Sequence, residues 1–307
     1  MSAETREYFD LFGPKGRISA IFSRIAHYLT FQRLDHALRK AEPVPFSDNS
    51  RIVLFSDCHR GTNGRSDAFA RNEDIFVGAL DYYYQRAYTY VEVGDGDELW
   101  QNKSFRAVEQ AHPRVFQRLR QFYREQRLHL LFGNHDAPGS SQDVPWAKKE
   151  GILLHHQDTH VRILVVHGHQ ADIVSDRLKP ISRLVVRYIA RYLRALGMID
   201  YEVKEPLIQW DQWTERIREL ISPVEARLMM WAQARKQALI CGHTHRPMYA
   251  PAVHLPYFNT GSCVFPGFIT GLEIEKGYIQ IVKWIRERTQ TPRRVPIGTP
   301  VPIRVLT

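Results

Sequence analysis

Hydrophobic and polar positions alternate in blocks along the chain, and the period of these blocks changes near residue 50. Before that point, apolar residues recur at helical spacing and predict an amphipathic helical extension over residues 1–50, with Ile18, Phe22 and Ile25 near one face. From Arg51 onwards, short apolar runs each close on a glycine or a polar cluster. These runs predict buried strands in the segments RIVLFSD, YTYVEVGDGD, LHLLFGNHD, VRILVVHGH and ALICGHTH.

Longer helical patterns separate the first three of these strands. They cover about residues 66–87 and 104–126, and the alternation of strand and helix indicates a layered α/β domain over residues 51–285. Near the end of this domain, PYFNTGS predicts one more strand. Two alternating segments around Lys276 and Gly277 predict a β-hairpin.

Two segments depart from this alternation. Residues 170–236 carry helical patterns without a strand signal, which predicts a helical, lid-like insertion between two core strands. Basic residues recur within it at helical spacing, at Arg183, Arg187, Arg191 and Arg194. This pattern suits an anionic lipid or membrane surface, and equally an ordinary amphipathic helix with a solvated basic face. The basic, proline-containing tail, residues 286–307, is expected to pack as an extended arm or to fray.

Composition limits the class of protein. The 307 residues are 44% hydrophobic, which excludes a disordered polymer. No apolar run approaches the roughly 18 residues that a membrane-spanning helix needs, and the N-terminus lacks a secretory signal pattern, so a cytoplasmic location is expected. The three cysteines are too few and too far apart for a disulfide framework or a metal knuckle, and we expect small buried side chains.

The formal net charge of +9 favours a negatively charged partner. Nucleic acid, anionic lipid and phosphorylated small molecules all remain open on charge alone. The placement of the 14 histidines is more informative than this excess.

A potential metal ligand follows each of the five predicted strands. In order along the chain they are Asp57 with His59, Asp95, Asn134, His167, and His243 with His245. Because function in open α/β sheets concentrates beyond the carboxyl ends of the strands, we expect these side chains to converge. Glycines beside them permit sharp turns, and the i, i+2 spacing of Asp57 and His59 would place both on one side of an extended chain.

The donor set combines carboxylate, amide and imidazole without thiolate. It suits Mn²⁺, with Fe and Zn²⁺ as alternatives, better than a soft ion. Seven such residues exceed what one cation requires. A pair of divalent cations bridged by a carboxylate would use them all, and this is the common arrangement for displacement at phosphorus.

These residues resemble the motifs of the calcineurin-like metallophosphoesterase superfamily. The family pattern is DxH, GDxx[DE], GNH[DE], HG and GHTH, and this chain has Asp57-Cys58-His59, Gly94-Asp95-Gly96-Asp97-Glu98, Gly133-Asn134-His135-Asp136, His167-Gly168-His169 and Gly242-His243-Thr244-His245 in that order. The resemblance implies a four-layer α/β/β/α sandwich of two mixed sheets with a helical insertion. It also implies one cation held by Asp57, His59, Asp95 and His245, and another held by Asp95, Asn134, His167 and His243.

The mechanism that the resemblance implies is attack on phosphorus by hydroxide from a water bridging the two cations. His135 would then protonate the leaving oxygen, with Asp136 orienting or charging its ring. A structural role for His135 in its turn is the alternative. Arg60 and Arg246 each follow a predicted ligand and are candidate phosphate contacts, or else partners of Glu98 or Asp136. His169 is a third candidate substrate contact; the alternatives are that it supports a metal ligand or is simply exposed.

Within the superfamily the sequence is most similar to UDP-2,3-diacylglucosamine hydrolases. The shared features are Gly94-Asp95 followed by Glu98 and Trp100, the run Gly242–Pro247, and the insertion after the HG motif. A nucleotide-linked or lipid-linked phosphate is the implied substrate, and an enzyme peripheral to the inner membrane face is compatible with it. His135 and His169 differ from the arginine and the acidic residue typical of those hydrolases. A nuclease or cyclic-nucleotide phosphodiesterase with the same metals is the less favoured alternative.

Overall fold

The computed structural model describes residues 17–102, 104–138, 146–172, 222–249, 256–286 and 291–306. In these ranges the chain forms two six-stranded sheets and five α-helices, together with short 3₁₀ turns. Most of the predicted insertion, including Arg183, Arg187, Arg191 and Arg194, falls outside the described residues.

The strands divide between two mixed sheets. They are β1 (Glu42–Phe46), β2 (Arg51–Phe55), β3 (Thr89–Val93), β4 (Leu128–Leu131), β5 (Gly151–His156), β6 (Arg162–Val166), β7 (Ala238–Cys241), β8 (Met248–Tyr249), β9 (Tyr257–Asn259), β10 (Phe268–Glu275), β11 (Tyr278–Ile285) and β12 (Arg293–Pro302). The first sheet has the order β12-β11-β10-β2-β3-β4, and the second has the order β1-β5-β6-β7-β9-β8. In the first sheet β2, β3 and β4 run parallel, and in the second β6, β7 and β9 do.

Helices cover the outer face of each sheet. They are α1 (Arg17–Lys40), α2 (Glu73–Gln85), α3 (Phe105–Ala111), α4 (Pro113–Arg124) and α5 (Pro223–Arg235). Buried residues of α2 and α4 pack on the first sheet, and those of α1 and α5 pack on the second. The four-layer α/β/β/α sandwich expected from the sequence is therefore confirmed.

Strand periodicity explains why both faces of each sheet are apolar. In β2, Val53 and Phe55 point to the helices, whereas Ile52 and Leu54 enter the core between the two sheets. Since successive side chains alternate between the faces of a strand, a strand buried on both faces needs a continuous apolar run. Each buried aliphatic or aromatic side chain of this kind contributes about 1.5–3 kcal/mol of transfer free energy.

Four strands, β1, β5, β8 and β12, lie in segments for which the sequence predicted none. Residues of the tail form β12, which pairs antiparallel with β11, so this part of the tail is a sheet strand. Strand β1 contains Pro43 and Pro45, and β5 pairs with it. Proline hides a strand from pattern analysis, yet both proline-bearing strands are edge strands, where a missing N–H donor is tolerated.

Helix boundaries also differ from the sequence pattern. The pattern over 104–126 resolves into α3 and α4, because Pro113 begins a new helix at its first position. The three cysteines are buried and free, as expected. Among the helices of the described ranges, none has the length and apolar character needed to cross a membrane.

Candidate metal centre

The loops after strands of both sheets meet at one edge of the sandwich. Those after β2, β3 and β4 of the first sheet and those after β6 and β7 of the second carry the seven predicted ligands. Asp57, His59, Asp95, Asn134 and His167 are buried, while His243 and His245 are partly exposed. The structure therefore brings together donors that are up to 188 positions apart in the sequence, between Asp57 and His245.

The donors form two adjoining groups. Asp57, His59 and His245 offer ligand atoms that lie within 4.8 Å of one another, and so do Asp95, His167 and His243. Oδ2 of Asp95 lies 3.2 Å from Nε2 of His167 in its own group and 3.8 Å from Nε2 of His59 in the other. Asp95 is thus placed between the two groups.

Five of these residues adopt the left-handed backbone conformation that normally favours glycine. The φ angles are 52° at Asp57, 47° at His59, 50° at Asp95, 69° at His243 and 55° at His245. Such conformations cost about 1–3 kcal/mol each and concentrate at functional sites. The prediction that an extended chain places the i, i+2 residues on one side is therefore wrong, because left-handed turns set their positions. His243 and His245 accordingly belong to different donor groups.

The glycines of the motifs leave room for the donors. A Cβ at Gly133 would lie 2.1 Å from Oδ1 of Asp95, and one at Gly242 would lie 2.5 Å from Oδ2 of Asp57. Neither distance is compatible with a side chain. Glycine is thus required here for close approach of the loops.

Three buried donor atoms fit a cation. Oδ1 of Asp57, Oδ1 of Asn134 and Nε2 of His167 have no hydrogen-bond partner in the described structure. Nδ1 of His167 donates to the carbonyl of Val93 at 2.8 Å, so a neutral ring carries its lone pair on Nε2. Oδ2 of Asp57 accepts from the Ser56 hydroxyl and the His243 amide, so Oδ1 is the oxygen left over.

The electrostatics of the group also favour positive charge. Burial lowers the pKa of His167, but the charges of Asp95 and Asp57 outweigh it and raise that pKa to about 9. Burial raises the pKa of Asp57 and the surrounding histidines lower it, with a net shift below its ordinary value. A site that attracts protons this strongly would also attract a divalent cation, which would displace the proton from His167.

His135 has a different partner from the one expected. Its Nδ1 lies 2.9 Å from both carboxylate oxygens of Glu98, and its ring stacks on Trp100 with centroids 4.1 Å apart. Glu98 also accepts from Nδ1 of His59 at 3.2 Å. Burial raises the pKa of Glu98, but the charge of His135 and hydrogen bonds to both rings bring it well below its ordinary range.

The predicted role of Asp136 is corrected accordingly. Its carboxylate accepts from the backbone amides of Gly133 at 2.7 Å and Gly96 at 3.0 Å, and from Nζ of Lys148 at 2.6 Å. These bonds tie together the loops after β3 and β4. Asp136 therefore positions the site, and the residue that orients the His135 ring is Glu98.

Arg60 does not face a substrate position. Its guanidinium is 1% exposed and donates to both oxygens of Glu92, at 2.7 and 2.8 Å, and to Asp97 at 2.9 Å. Asp97 also accepts from Lys148 at 2.9 Å. The prediction of a phosphate contact at Arg60 is wrong, because a buried ion-pair network uses the whole guanidinium; its partners are neither Glu98 nor Asp136.

The other two predicted substrate contacts remain near the centre. Arg246 pairs with Glu225, which the capping box at the start of α5 holds at the helix N-terminus. The rings of His169 and His167 have centroids 5.6 Å apart. Arg246 is therefore already engaged by a carboxylate, whereas His169 adjoins a predicted ligand directly.

Sequence reasoning missed the roles of three charged residues. Glu98 was recognised as part of a motif, and its position three residues after Asp95 was a usable signal for a role at the centre. Glu225 and Lys148 carried no such signal, because their partners lie far away in the sequence or in a separate loop.

Similarity to known proteins identifies the family of the chain. The family model described as "Calcineurin-like phosphoesterase" matches residues 50–247, well over half of the chain. No curated protein matches the chain.

Two kinds of solved structure were among those matched. Vacuolar protein sorting 29 from Cryptosporidium parvum matches with 12% identity and a TM-score of 0.39, covering 82% of this chain and 98% of that one. A cold-active protein-tyrosine phosphatase of a psychrophilic Shewanella species matches with 13% identity and a TM-score of 0.40, covering 85% of this chain and 84% of that one. Scores at this level support no statement about activity. On the family match, the chain belongs to the calcineurin-like phosphoesterase family and is a phosphoesterase hydrolase.

Proposed function

We propose that this phosphoesterase uses two divalent cations to hydrolyse a phosphate ester or pyrophosphate. One cation would be held by Asp57, His59, Asp95 and His245, and the other by Asp95, Asn134, His167 and His243. The observation that carries this proposal is the pair of adjoining donor groups with Asp95 between them.

The donor chemistry supports a particular class of cation. Imidazole, carboxylate and amide donors suit Mn²⁺, with Fe and Zn²⁺ as alternatives, and the three cysteines of the chain are not among the donor groups. When bound, such cations neutralise charge on the phosphoryl oxygens and lower the pKa of a water molecule to near neutrality.

His135 is the proposed proton donor to the leaving oxygen. Glu98 faces Nδ1, so Nε2 is the nitrogen that remains to exchange a proton with substrate. The carboxylate would fix the position of Nδ1, and stacking on Trp100 would hold the ring plane. Asp136 holds the loops after β3 and β4 together through its hydrogen bonds to the amides of Gly96 and Gly133.

For the substrate, we propose a nucleotide-linked or lipid-linked phosphate, as in UDP-2,3-diacylglucosamine hydrolases. The support is the motif context of Glu98 and Trp100 and the run Gly242–Pro247. A lipid-linked substrate would bring the enzyme to the inner face of a membrane. His135 and His169 differ from the residues of those hydrolases, so leaving-group contacts would differ.

The test is hydrolysis by purified full-length protein loaded with Mn²⁺. We expect turnover of at least one of a phosphomonoester, a phosphodiester and a pyrophosphate. Asp95→Ala should lower kcat by at least about 100-fold, because even indirect ligand partners contribute 10–100-fold. Asp74→Asn, at an exposed ion pair with Arg114, is the control and should leave kcat unchanged. No turnover of any substrate, or full activity of Asp95→Ala, would contradict the proposal.

A further inference from the structure

A buried lysine that belongs to none of the five motifs reaches the candidate metal centre. Nζ of Lys148 lies 2.9 Å from Oδ2 of Asp97 and 2.6 Å from Oδ2 of Asp136, and the lysine side chain is 7% exposed. The segment that carries it is tied to the chain just after β4, because the Phe132 amide donates to the Lys149 carbonyl at 3.0 Å. The position of the ammonium group is therefore fixed by the backbone as well as by its two acidic partners.

Lys148 is the cation that these two carboxylates share. The side chains of Asp97 and Asp136 are 1% and 0% exposed, and because both bind the same ammonium group their Oδ2 atoms lie close together. The Arg60 guanidinium faces the other oxygen of Asp97 and divides its charge with Glu92. Since like charges repel strongly where water is excluded, removal of the ammonium would drive the two carboxylates apart.

The carboxylate of Asp136 also holds the backbone around Asp95. Its Oδ1 accepts from the amide of Asp95 at 3.2 Å and from that of Gly133 at 2.7 Å. Its Oδ2, the oxygen that Lys148 contacts, accepts from the amide of Gly96 at 3.0 Å. A displacement of Asp136 would therefore act directly on the residue that lies between the two donor groups.

The surroundings of Asp95 leave little room for such a displacement. Its Oδ1 accepts from the amide of His135 at 2.8 Å. A Cβ at Gly133 would lie 2.1 Å from the same oxygen. The Asp95 carboxylate is thus positioned by the two backbone segments that Asp136 joins, one after β3 and one after β4.

We infer that Lys148 is a positioning residue for the two-cation centre. This inference rests on the proposed function and deepens it. By neutralising the repulsion between Asp97 and Asp136, the ammonium group keeps Asp136 on the amides around Asp95, and it thereby sets the affinity of the centre for divalent cations. Neither carboxylate that Lys148 contacts is a proposed ligand, so its effect passes through Asp136.

The first experiment measures amide hydrogen exchange in full-length protein stripped of metal. Lys148→Met keeps most of the side-chain volume and removes the charge, so peptides containing Gly96 and Gly133 should exchange at least ten-fold faster. Lys148→Arg keeps the charge and should stay within three-fold of the wild type. Lys149→Met is the matched control, because that neighbouring lysine pairs with Glu42 at the surface, and it should change exchange less than two-fold.

The second experiment is calorimetric titration of the same proteins with Mn²⁺. We expect Lys148→Met to weaken binding at least ten-fold, because groups that orient metal ligands contribute 10–100-fold. Adding Asp97→Asn removes one of the two repelling charges and should recover at least three-fold of this loss, whereas Asp97→Asn alone should not strengthen binding. A role of Lys148 in packing alone would not be relieved in this way. Should Lys148→Met not fold, recovery of folding in the double variant tests the same repulsion, and a double variant that also fails to fold counts against it.

The outcomes separate the two proposals. Wild-type values of exchange and Mn²⁺ affinity in Lys148→Met, or a loss that Asp97→Asn does not relieve, overturn the role of Lys148 and leave the proposed function intact. Wild-type protein that turns over no phosphoester in the presence of Mn²⁺ overturns the proposed function. The exchange comparison in metal-free protein then still decides whether Lys148 holds the two loops.

Discussion

Nδ1 of His135 lies 2.9 Å from each carboxylate oxygen of Glu98. The same carboxylate lies 3.2 Å from Nδ1 of His59. One buried acid therefore orients both a proposed cation ligand and the proposed proton donor, so the two functions are coupled through a single side chain.

Glu98→Gln should impair both functions. The amide carries no charge, and it offers only one acceptor oxygen to the two rings of His59 and His135. Residues that orient metal ligands contribute about 10–100-fold to affinity or activity, so we expect losses of that size in kcat and in Mn²⁺ affinity. Activity assays at graded Mn²⁺ concentrations would measure both. Glu109→Gln, at a surface pair with Arg120, is the control; unchanged kcat and Mn²⁺ affinity in Glu98→Gln would refute this coupling.

Arg60→Met should destabilise the fold strongly. Removing this guanidinium leaves Glu92 and Asp97 as buried carboxylates without their main partner. Breaking a buried ion pair in this way costs about 3–5 kcal/mol. The exposed pair of Arg114 with Asp74 provides the comparison, since Arg114→Met should cost only about 0–1 kcal/mol. Urea unfolding of both variants measures the difference, and similar values for the two would contradict the account.

His112 should make the free energy of unfolding fall as the pH rises into the alkaline range. Burial lowers its pKa, but hydrogen bonds to Asp67 and Glu73, each 2.9 Å long, raise it to about 9. Because the folded pKa exceeds the unfolded value of about 6.5, the stabilisation is complete below pH 6.5 and is lost as the pH rises through 9.

The size of this effect is on the order of 3 kcal/mol, because the folded pKa of about 9 exceeds the unfolded pKa of about 6.5. The free energy of unfolding in urea, measured between pH 6 and pH 9.5, should therefore fall more in the wild type than in His112→Gln. Parallel pH profiles for the two proteins would show that His112 is not the group responsible.

Gly133→Ala should disturb the candidate metal centre through a steric clash, without any change in charge. The added methyl group would meet Oδ1 of Asp95 at 2.1 Å, so the carboxylate must move. We expect weaker Mn²⁺ binding and a lower kcat, measured by calorimetry and turnover. Gly64→Ala is the matched control, because a Cβ there has nothing within 4 Å and should leave both quantities unchanged. Normal Mn²⁺ affinity in Gly133→Ala would mean that the loop relaxes without moving Asp95.

The sequence by itself determined the features that depend on local pattern. Apolar runs predicted the core strands because a strand buried on both faces needs apolar residues at every position. The order of the motifs predicted Asp57, His59, Asp95, Asn134, His167, His243 and His245 as one group, since the loops after parallel strands meet at one edge of a sheet.

Only the tertiary structure decided which partner each polar side chain takes. Arg60 pairs with Glu92. His135 pairs with Glu98, although Asp136 is its neighbour in the sequence. It also decided that the proline-containing tail becomes strand β12 and that α1 lines a cavity together with His169 and Gln170. Each of these pairings depends on the relative energies of contacts between segments that are distant in the sequence. A residue's neighbours in sequence do not encode such energies, so the fold had to be known before they could be assigned.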